Sequence, residues 1–304
     1  AVQEAEGQIK ALENKLSRTK ADSDVSRVNH NGTTPTTGLT YGTRALLPAA
    51  LEYRDATNGA FDITIAPVMD AWGFTGDSFR VPERSELDEL LKHVNSDEIQ
   101  IQEEPAHSVT LGEGQAIDLG GIAKGYTSDL VEQTFRANGI ESGKISLGGN
   151  VFVLGGKPDG SDWRVGIKDP RNESGLAAIL SLRDAYAITS GGYERYFEEN
   201  GKTYHHIIDP STGYPADSGL LSVTVVAADN GPDWAGAGNG AMCDAFSTAL
   251  FVMGEEQALD FWRNGGYDFD LVLVTEDGRV VITAGLADRF EEVKDSGYTY
   301  ETVS

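Results

Sequence analysis

The sequence predicts an α+β fold: a single composite domain with a mixed, largely antiparallel sheet and flanking helices. The middle of the chain, residues 144–189, alternates short β-type runs with short turns, a spacing that favours antiparallel pairing. Near the C-terminus, Glu276-Asp-Gly278 separates two apolar runs and predicts a hairpin. The N-terminal third instead carries helical periodicity, and neither an internal repeat nor a linker divides the chain.

The N-terminal third is predicted to be mainly helical. Ile9, Leu12 and Leu16 recur at helical spacing, and Pro48 should kink or end a second helix. The predicted elements are a helix over 4–18, a polar surface loop with short structure over 19–37, a helix over 39–57, a strand over 60–67 and a charged helix over 82–91.

The rest of the chain is predicted to supply the sheet. The run 222–228 is β-branched and apolar, which is typical of an interior strand. Residues 229–240 are a Gly-rich loop, and residues 289–304 are expected to be a polar C-terminal tail beyond a domain of residues 1–288. The predicted strands are 144–147, 151–154, 163–167, 178–182, 186–189, 222–228, 271–275 and 279–283.

Charge restricts the classes of partner. The 304 residues include 39% apolar residues, enough for a full core, and carry a formal net charge of −24. Nucleic acids and anionic membrane surfaces are disfavoured as partners, because both require a basic protein surface. A small ligand that carries phosphate would need local positive charge or a metal ion.

Cysteine content and the start of the chain restrict the possible functions less than the net charge does. Cys243 is the one cysteine, which excludes an intrachain disulfide and a four-cysteine metal site. No apolar run reaches the ~20 residues of a membrane span. The chain begins at Ala1 rather than at methionine, so an upstream segment with any signal peptide or lipid anchor is expected to have been removed.

The stretch Asp118-Leu-Gly-Gly-Ile-Ala-Lys-Gly-Tyr126 is predicted to be a strand–Gly-Gly–helix turn. Apolar positions recur every four residues from Ile122, and Gly139 stands where a C-terminal helix glycine belongs. A helix N-terminus has unpaired N–H groups and partial positive charge, which suit a phosphate, and Lys124 adds a full charge. A Gly-rich turn with a solvated lysine would look the same, and this stretch alone does not decide between the two.

Residues 242–254 are apolar at nearly every position and predict a helix buried all round. Its polar residues Asp244, Ser247 and Thr248 share one face. A buried carboxylate must meet a cation or strong donors, and hard oxygen ligands suit Mg²⁺ better than zinc. The alternative is a cap near the helix start, with both hydroxyls bonded back to helix carbonyls. Both interpretations stay open.

Three other motifs give weaker indications of function. Adjacent His205 and His206 should point to opposite faces, so at most one serves a given site, and no third ligand supports zinc. Ser190 lacks the surroundings of a nucleophile elbow. Gly201-Lys-Thr203 resembles the end of a phosphate-binding loop, but Tyr196 occupies the position where that motif requires glycine.

Together these stretches resemble the ApbE-like family of flavin transferases, the FAD:protein FMN transferases. The resemblance covers about residues 10–285. The matching stretches are Asp118-Leu-Gly-Gly-Ile-Ala-Lys-Gly-Tyr, Ser146-Leu-Gly-Gly-Asn, Thr189-Ser-Gly-Gly-Tyr-Glu-Arg, His205-His-Ile-Ile-Asp-Pro-Ser-Thr-Gly-Tyr-Pro and Asp244-Ala-Phe-Ser-Thr-Ala-Leu, with residues 16–29, 59–67 and 72–74 upstream.

The resemblance implies a Mg²⁺-dependent enzyme that cleaves FAD, attaches FMN to a threonine or serine of a partner flavoprotein and releases AMP. It implies catalytic roles for His206 and Asp244, and metal ligands at Gly121 (through its carbonyl), Asp244 and Thr248, with Ser247 adjacent. The positions it places at the flavin nucleotide are Ala60, Phe61, Asp62, Trp72, Asp118, Lys124, Ser190, His206 and Ile207.

Two departures and two alternatives accompany the resemblance. Thr19 stands where relatives often carry an aromatic residue, and Gly121 replaces the more usual alanine. The first departure leaves open an FAD pyrophosphatase that releases FMN and AMP, and a non-catalytic FAD-binding protein is the other alternative. Family members usually work outside the cytoplasmic membrane, often as lipoproteins, so the same location is expected here.

Overall fold

The computed structural model describes residues 1–76, 78–229 and 236–304 and confirms the α+β fold. These ranges contain eight α-helices and fifteen strands. The helices are α1 (Val2–Leu16), α2 (Asp24–Asn31), α3 (Tyr41–Ala56), α4 (Ala66–Trp72), α5 (Arg84–Leu90), α6 (Ala123–Ala137), α7 (Asn239–Met253) and α8 (Glu255–Asn264). None of the described helices is both long enough and apolar enough to cross a membrane.

The strands form one large sheet and three small ones. They are β1 (Thr33–Pro35), β2 (Gln100–Gln102), β3 (Ser108–Thr110), β4 (Gly143–Leu147), β5 (Asn150–Leu154), β6 (Trp163–Asp169), β7 (Asn172–Leu182), β8 (Ala185–Gly191), β9 (Tyr196–Glu199), β10 (Lys202–His205), β11 (Leu220–Ala228), β12 (Asp270–Thr275), β13 (Arg279–Thr283), β14 (Phe290–Glu292) and β15 (Thr299–Val303). The seven-stranded sheet has the order β15-β13-β12-β11-β8-β5-β4. Its pairs are antiparallel except β13 with β15, so the predicted mixed, largely antiparallel sheet is confirmed.

Both faces of the large sheet are covered, which explains its apolar strands. Leu271 and Leu273 of β12 belong to the core on the helical side, with α7 residues such as Phe246. The alternate residues Val272 and Val274 belong to a second core with the small sheet β14-β7-β6. Because alternate side chains of a strand face opposite sides, a strand buried on both faces is apolar throughout. The interior position predicted for residues 222–228 is confirmed, since β11 lies between β8 and β12.

Helices α6 and α7 pack against each other at their N-terminal ends. A Cβ atom at Gly125 would lie 2.0 Å from the carbonyl oxygen of Gly240, so only glycine permits this approach. The buried Asp129 side chain of α6 accepts hydrogen bonds from the amides of Gly238, Gly240 and Ala241 at 3.1, 2.7 and 3.1 Å. A carboxylate from α6 thus caps the start of α7 and fixes the position of the two helices.

The strand predicted over residues 60–67 is wrong. Ile63–Ile65 form a 3-10 turn, and α4 begins directly after it. Asp62 accepts a hydrogen bond of 2.8 Å from the Thr64 amide and so caps the turn, and Pro67 stands in the first turn of α4. Capping and proline therefore outweigh the β-branched composition of this run.

The structure also bears on two predictions about the flanking segments. The strand predicted to lead into the Gly-Gly turn does not form at residues 116–117. Asn29 satisfies the backbone of Ile117 instead: the Ile117 amide donates to Asn29 Oδ1 at 2.8 Å, and Asn29 Nδ2 donates to the Ile117 carbonyl at 3.0 Å. The short structure expected within residues 19–37 includes α2, which has Ser23 as its N-terminal cap.

The helix predicted around Pro48 is confirmed, and Pro48 does not end it. Helix α3 continues through Pro48 to Ala56. Leu46, Leu47 and Ala50 are all buried around this position, so packing compensates for the backbone hydrogen bond that proline cannot make.

The C-terminal residues are polar, as expected, but they are not a peripheral tail. Strand β15 forms the edge of the large sheet beside β13, and β14 pairs with β7. The boundary at residue 288 stays a prediction. The loop predicted over residues 229–240 lies in part outside the described residues, at 230–235.

Candidate active site

A cavity of about 630 Å³ lies between α1, the Gly-Gly turn before α6, the polar face of α7 and the chain after β10. It brings together eleven of the predicted site residues from separate stretches. These are Ala60, Phe61, Asp62, Asp118, Gly121, Lys124, Ser190, His206, Ile207, Asp244 and Thr248. Cavities of this volume are typical of small-molecule sites.

Asp244 is buried and obtains its donors from the neighbouring helix. The amide of Gly125, in the first turn of α6, donates to Asp244 Oδ2 at 2.8 Å. Burial raises the pKa of Asp244, while the charge of Lys124 and the Gly125 amide lower it. Asp244 lies in the second turn of α7, so it does not cap its own helix.

This contact changes the role predicted for the α6 N-terminus. The sequence suggested that its N–H groups meet a ligand phosphate, but the Gly125 amide meets the protein's own carboxylate. The N-terminus of α6 therefore holds the Asp244 side chain in place.

Three hydroxyl groups line up beside Asp244. Ser190 at the end of β8 lies 2.8 Å from Ser247 Oγ and 3.2 Å from Thr248 Oγ1. Ser247 donates to the Asp244 carbonyl at 2.9 Å, as expected for a buried helix serine. Ser247 is fully buried and is not among the residues that line the cavity, whereas Thr248 lines it. Thr248 is thus the hydroxyl of α7 that can reach a ligand or a metal ion.

The two histidines have different surroundings, as the strand pattern predicted. His205 Nε2 lies 3.1 Å from the Ala216 carbonyl, and the Ile207 amide donates to His205 Nδ1, so both ring nitrogens are occupied. The His205 ring also packs edge-on against Phe251. His205 is therefore a structural residue.

His206 lines the cavity instead. Its Nδ1 lies 3.1 Å from the Arg195 carbonyl, a contact that places the ring proton on Nδ1 and leaves Nε2 as an acceptor. Burial lowers the pKa of His206 to about 4, and the charges of Lys124 and Arg195 act in the same direction. His206 is neutral near pH 7.

Two predicted nucleotide contacts need revision. Trp72 is fully buried in a separate aromatic cluster and donates through Nε1 to the Gly213 carbonyl at 2.7 Å, so it does not reach the cavity, whereas its neighbour Phe74 does. Asp62 lines the cavity, but its carboxylate accepts hydrogen bonds from the amides and hydroxyls of Thr64 and Ser96. The Asp62 carboxylate therefore holds the 60–65 segment in shape.

Sequence reasoning missed other cavity residues. Arg18 and Arg195 add positive charge, and apolar residues of α1 such as Leu12 form one wall. Helical periodicity identified the apolar face of α1, but nothing in its spacing shows that part of this face borders a ligand cavity. Arg195 could have been found, because it closes the Thr189-Ser-Gly-Gly-Tyr-Glu-Arg stretch.

Comparison with known proteins decides the family. The model of the ApbE family matches residues 1–271. The chain belongs to the ApbE family.

Individual ApbE relatives are similar over nearly the whole chain. The FAD:protein FMN transferase of Klebsiella pneumoniae is 34% identical over 294 residues, which cover 95% of this chain and 86% of the relative. That of Treponema pallidum is 32% identical over 300 residues, 94% and 80% of the two chains. The crystal structure of the ApbE protein from Thermotoga maritima superposes with a TM-score of 0.81 at 34% identity, covering 96% of this chain and 88% of the other.

The donor set of this ApbE chain fits a hard cation. Asp244 supplies one carboxylate and Thr248 a hydroxyl, and a Cβ atom at Gly121 would lie 3.8 Å from Thr248 Oγ1, so the Gly121 backbone is close. That Cβ would also lie 3.1 Å from the Phe61 ring, so an alanine here would require the ring to shift by a few tenths of an ångström. The described residues contain no cluster of three or more His, Cys, Asp or Glu side chains, so backbone, hydroxyl and water oxygens would have to complete a metal site.

Proposed function

We propose that this chain is a Mg²⁺-dependent FAD:protein FMN transferase. The main support is that Asp244, Thr248, Lys124 and His206, from three separate stretches, line one cavity of nucleotide size. Relatives that bear this name match more than nine-tenths of the chain. The reaction attaches FMN through a phosphoester bond to a threonine or serine of a partner flavoprotein.

The bond changes balance without a further reactant. The acceptor hydroxyl oxygen attacks the FMN-side phosphorus of FAD, the P–O bond to the AMP half breaks, and AMP leaves with the electron pair. The proton of the hydroxyl passes to a base. His206 suits this role, since it is neutral and its Nε2 is a free acceptor among the described contacts. The bound pyrophosphate raises the low pKa of His206, because negative charge favours the imidazolium.

Positive charge in the cavity offsets the charge of the pyrophosphate. Lys124 and Arg195 line the cavity of a protein whose net charge is −24. A bound Mg²⁺ would supply further charge neutralisation, which is the main requirement of phosphoryl-type transfer. Asp244, Thr248 and the Gly121 carbonyl would hold this ion, with Ser247 adjacent.

A second candidate function is FAD hydrolysis, and Thr19 favours it. Thr19 lines the cavity and its hydroxyl lies 2.9 Å from Ser17 Oγ. A small polar side chain here leaves room for water where an aromatic ring would exclude it. The same site would then release FMN and AMP without a protein acceptor.

Incubation with FAD, Mg²⁺ and a flavoprotein that carries the acceptor threonine tests the proposal. A transferase adds the mass of FMN to this acceptor, and a matched acceptor with alanine at that position gains none. Chromatography of FAD and Mg²⁺ without an acceptor measures hydrolysis. A protein that binds FAD but shows neither reaction would contradict both functions and leave the non-catalytic alternative. The location outside the cytoplasmic membrane, with a lipid anchor, stays a prediction from the resemblance.

A further inference from the structure

Arg18 connects three segments of the chain at the cavity. It lies in the turn between α1 and α2. Its Nε donates to Asp118 Oδ2 at 2.7 Å, and its Nη1 and Nη2 donate to the two carboxylate oxygens of Asp70 at 3.0 and 2.8 Å. Nη2 also contacts the Thr75 hydroxyl. The Arg18 side chain is 10% exposed, so this guanidinium is held in one place.

Arg18 and the Gly-Gly turn together fix the Asp118 carboxylate. Its Oδ2 accepts from Arg18, and its Oδ1 accepts from the Gly120 amide at 2.8 Å. The Asp118 side chain keeps 25% of its surface exposed and lines the cavity. Each carboxylate oxygen has two acceptor sites, so both oxygens can still accept from a ligand.

Arg18 also compensates charge. A carboxylate in a cavity that binds a pyrophosphate would repel it, and an adjacent guanidinium offsets that repulsion. Asp70 on the outer side, 53% exposed, orients the guanidinium through two parallel hydrogen bonds. A lysine could not reproduce this planar, forked geometry.

We propose that Arg18 is a positioning residue for FAD binding: it holds Asp118 as an oriented acceptor for an N–H or O–H group of FAD. The inference rests on the proposed function in taking FAD as the ligand. Arg18 acts on binding and not on the bond that breaks, so its loss weakens FAD binding and leaves turnover at saturating FAD nearly unchanged.

The Arg18→Gln variant tests this role. Titration of FAD by quenching of its fluorescence should show roughly tenfold weaker binding, about 1.4 kcal/mol. KM for FAD should rise by a similar factor, with kcat within about threefold of wild type. The matched control is Arg80→Gln, because Arg80 pairs with Glu86 on the exposed surface and does not line the cavity. Its FAD affinity should equal that of wild type.

A double-mutant cycle with Asp118→Ala tests whether Arg18 affects FAD affinity through Asp118. In that background Arg18→Gln should cause no further loss, because the carboxylate that Arg18 positions is gone. Unchanged affinity in Arg18→Gln, or losses that add in the double mutant, would overturn the inference. If Arg18→Gln folds poorly, Arg18→Lys gives the same comparison with the charge retained. Failure of the wild-type protein to bind FAD would instead reject the proposed function.

Discussion

The amide nitrogen of Gly125 donates a 2.8 Å hydrogen bond to Oδ2 of Asp244, 119 residues further along the chain. This contact joins the first turn of α6 to the polar face of α7, the two walls between which the proposed metal ion would bind. A buried carboxylate needs such a donor, and the first N–H groups of a helix have no partner within the helix. Positive charge for a ligand would therefore come from side chains and from the proposed cation.

The Asp244→Asn variant separates the charge of this residue from its shape. Asparagine keeps an oxygen that can accept from the Gly125 amide, but it lacks the charge that holds a cation. We expect transfer of FMN to fall at least about 100-fold, because charge stabilisation worth several kcal/mol is lost. The rise in unfolding temperature on adding Mg²⁺ should also disappear. Asp88→Asn, on the exposed surface of α5, is the control, and a wild-type Mg²⁺ response in Asp244→Asn would reject the metal assignment.

Close packing of α6 on α7 predicts a large effect of one methyl group. In Gly125→Ala the new Cβ would lie 2.0 Å from the Gly240 carbonyl oxygen and 2.7 Å from Asp244 Cβ, so the helices must separate. We expect a loss of about 3 kcal/mol in the free energy of unfolding, measured by denaturant titration. The control is Gly7→Ala in α1, where nothing lies within 4 Å of the new atom. It should stabilise the protein by up to about 1 kcal/mol, and equal effects of the two changes would contradict the packing argument.

The lowered pKa of His206 predicts how activity and stability depend on pH. Its pKa is about 4 in the folded protein against an ordinary value of 6.5, so between these values the unfolded chain binds more protons. The His206 contribution to the free energy of unfolding is thus complete above pH 6.5 and is lost as the pH falls towards 4. His205, whose pKa burial also lowers, acts in the same direction.

The activity profile distinguishes the two histidines. If His206 accepts the proton, kcat/KM should fall on the acid side near pH 4, whereas the acid limb of kcat should lie at higher pH because bound phosphate raises the pKa of His206. His206→Gln should remove this limb and most of the activity. His205→Gln should lower stability and keep the limb, and an unchanged profile in His206→Gln would exclude it as the base.

Most residues that the sequence predicted for the site line one cavity, whereas several of the predicted elements around it needed correction. Asp244 and Thr248 were placed on one face of a buried helix because helical period and burial follow directly from composition. Trp72 was misplaced, because its neighbourhood depends on the aromatic residues of β9 and β10, which are distant in sequence. Arg18 was missed for the same reason: its partners Asp70 and Asp118 lie 52 and 100 residues away, and local spacing cannot reveal such pairs.

Thr19 is the position at which the balance between transfer and hydrolysis should be adjustable. It lines the cavity, where a larger aromatic ring would occupy space that water can fill. We expect Thr19→Tyr to lower the release of free FMN from FAD relative to FMN transfer, measured by chromatography and acceptor mass in the same reaction. Thr19→Val removes the hydroxyl that meets Ser17 without adding volume, so it separates the two effects. An equal reduction in both variants would assign the effect to the hydroxyl and contradict the exclusion of water by size.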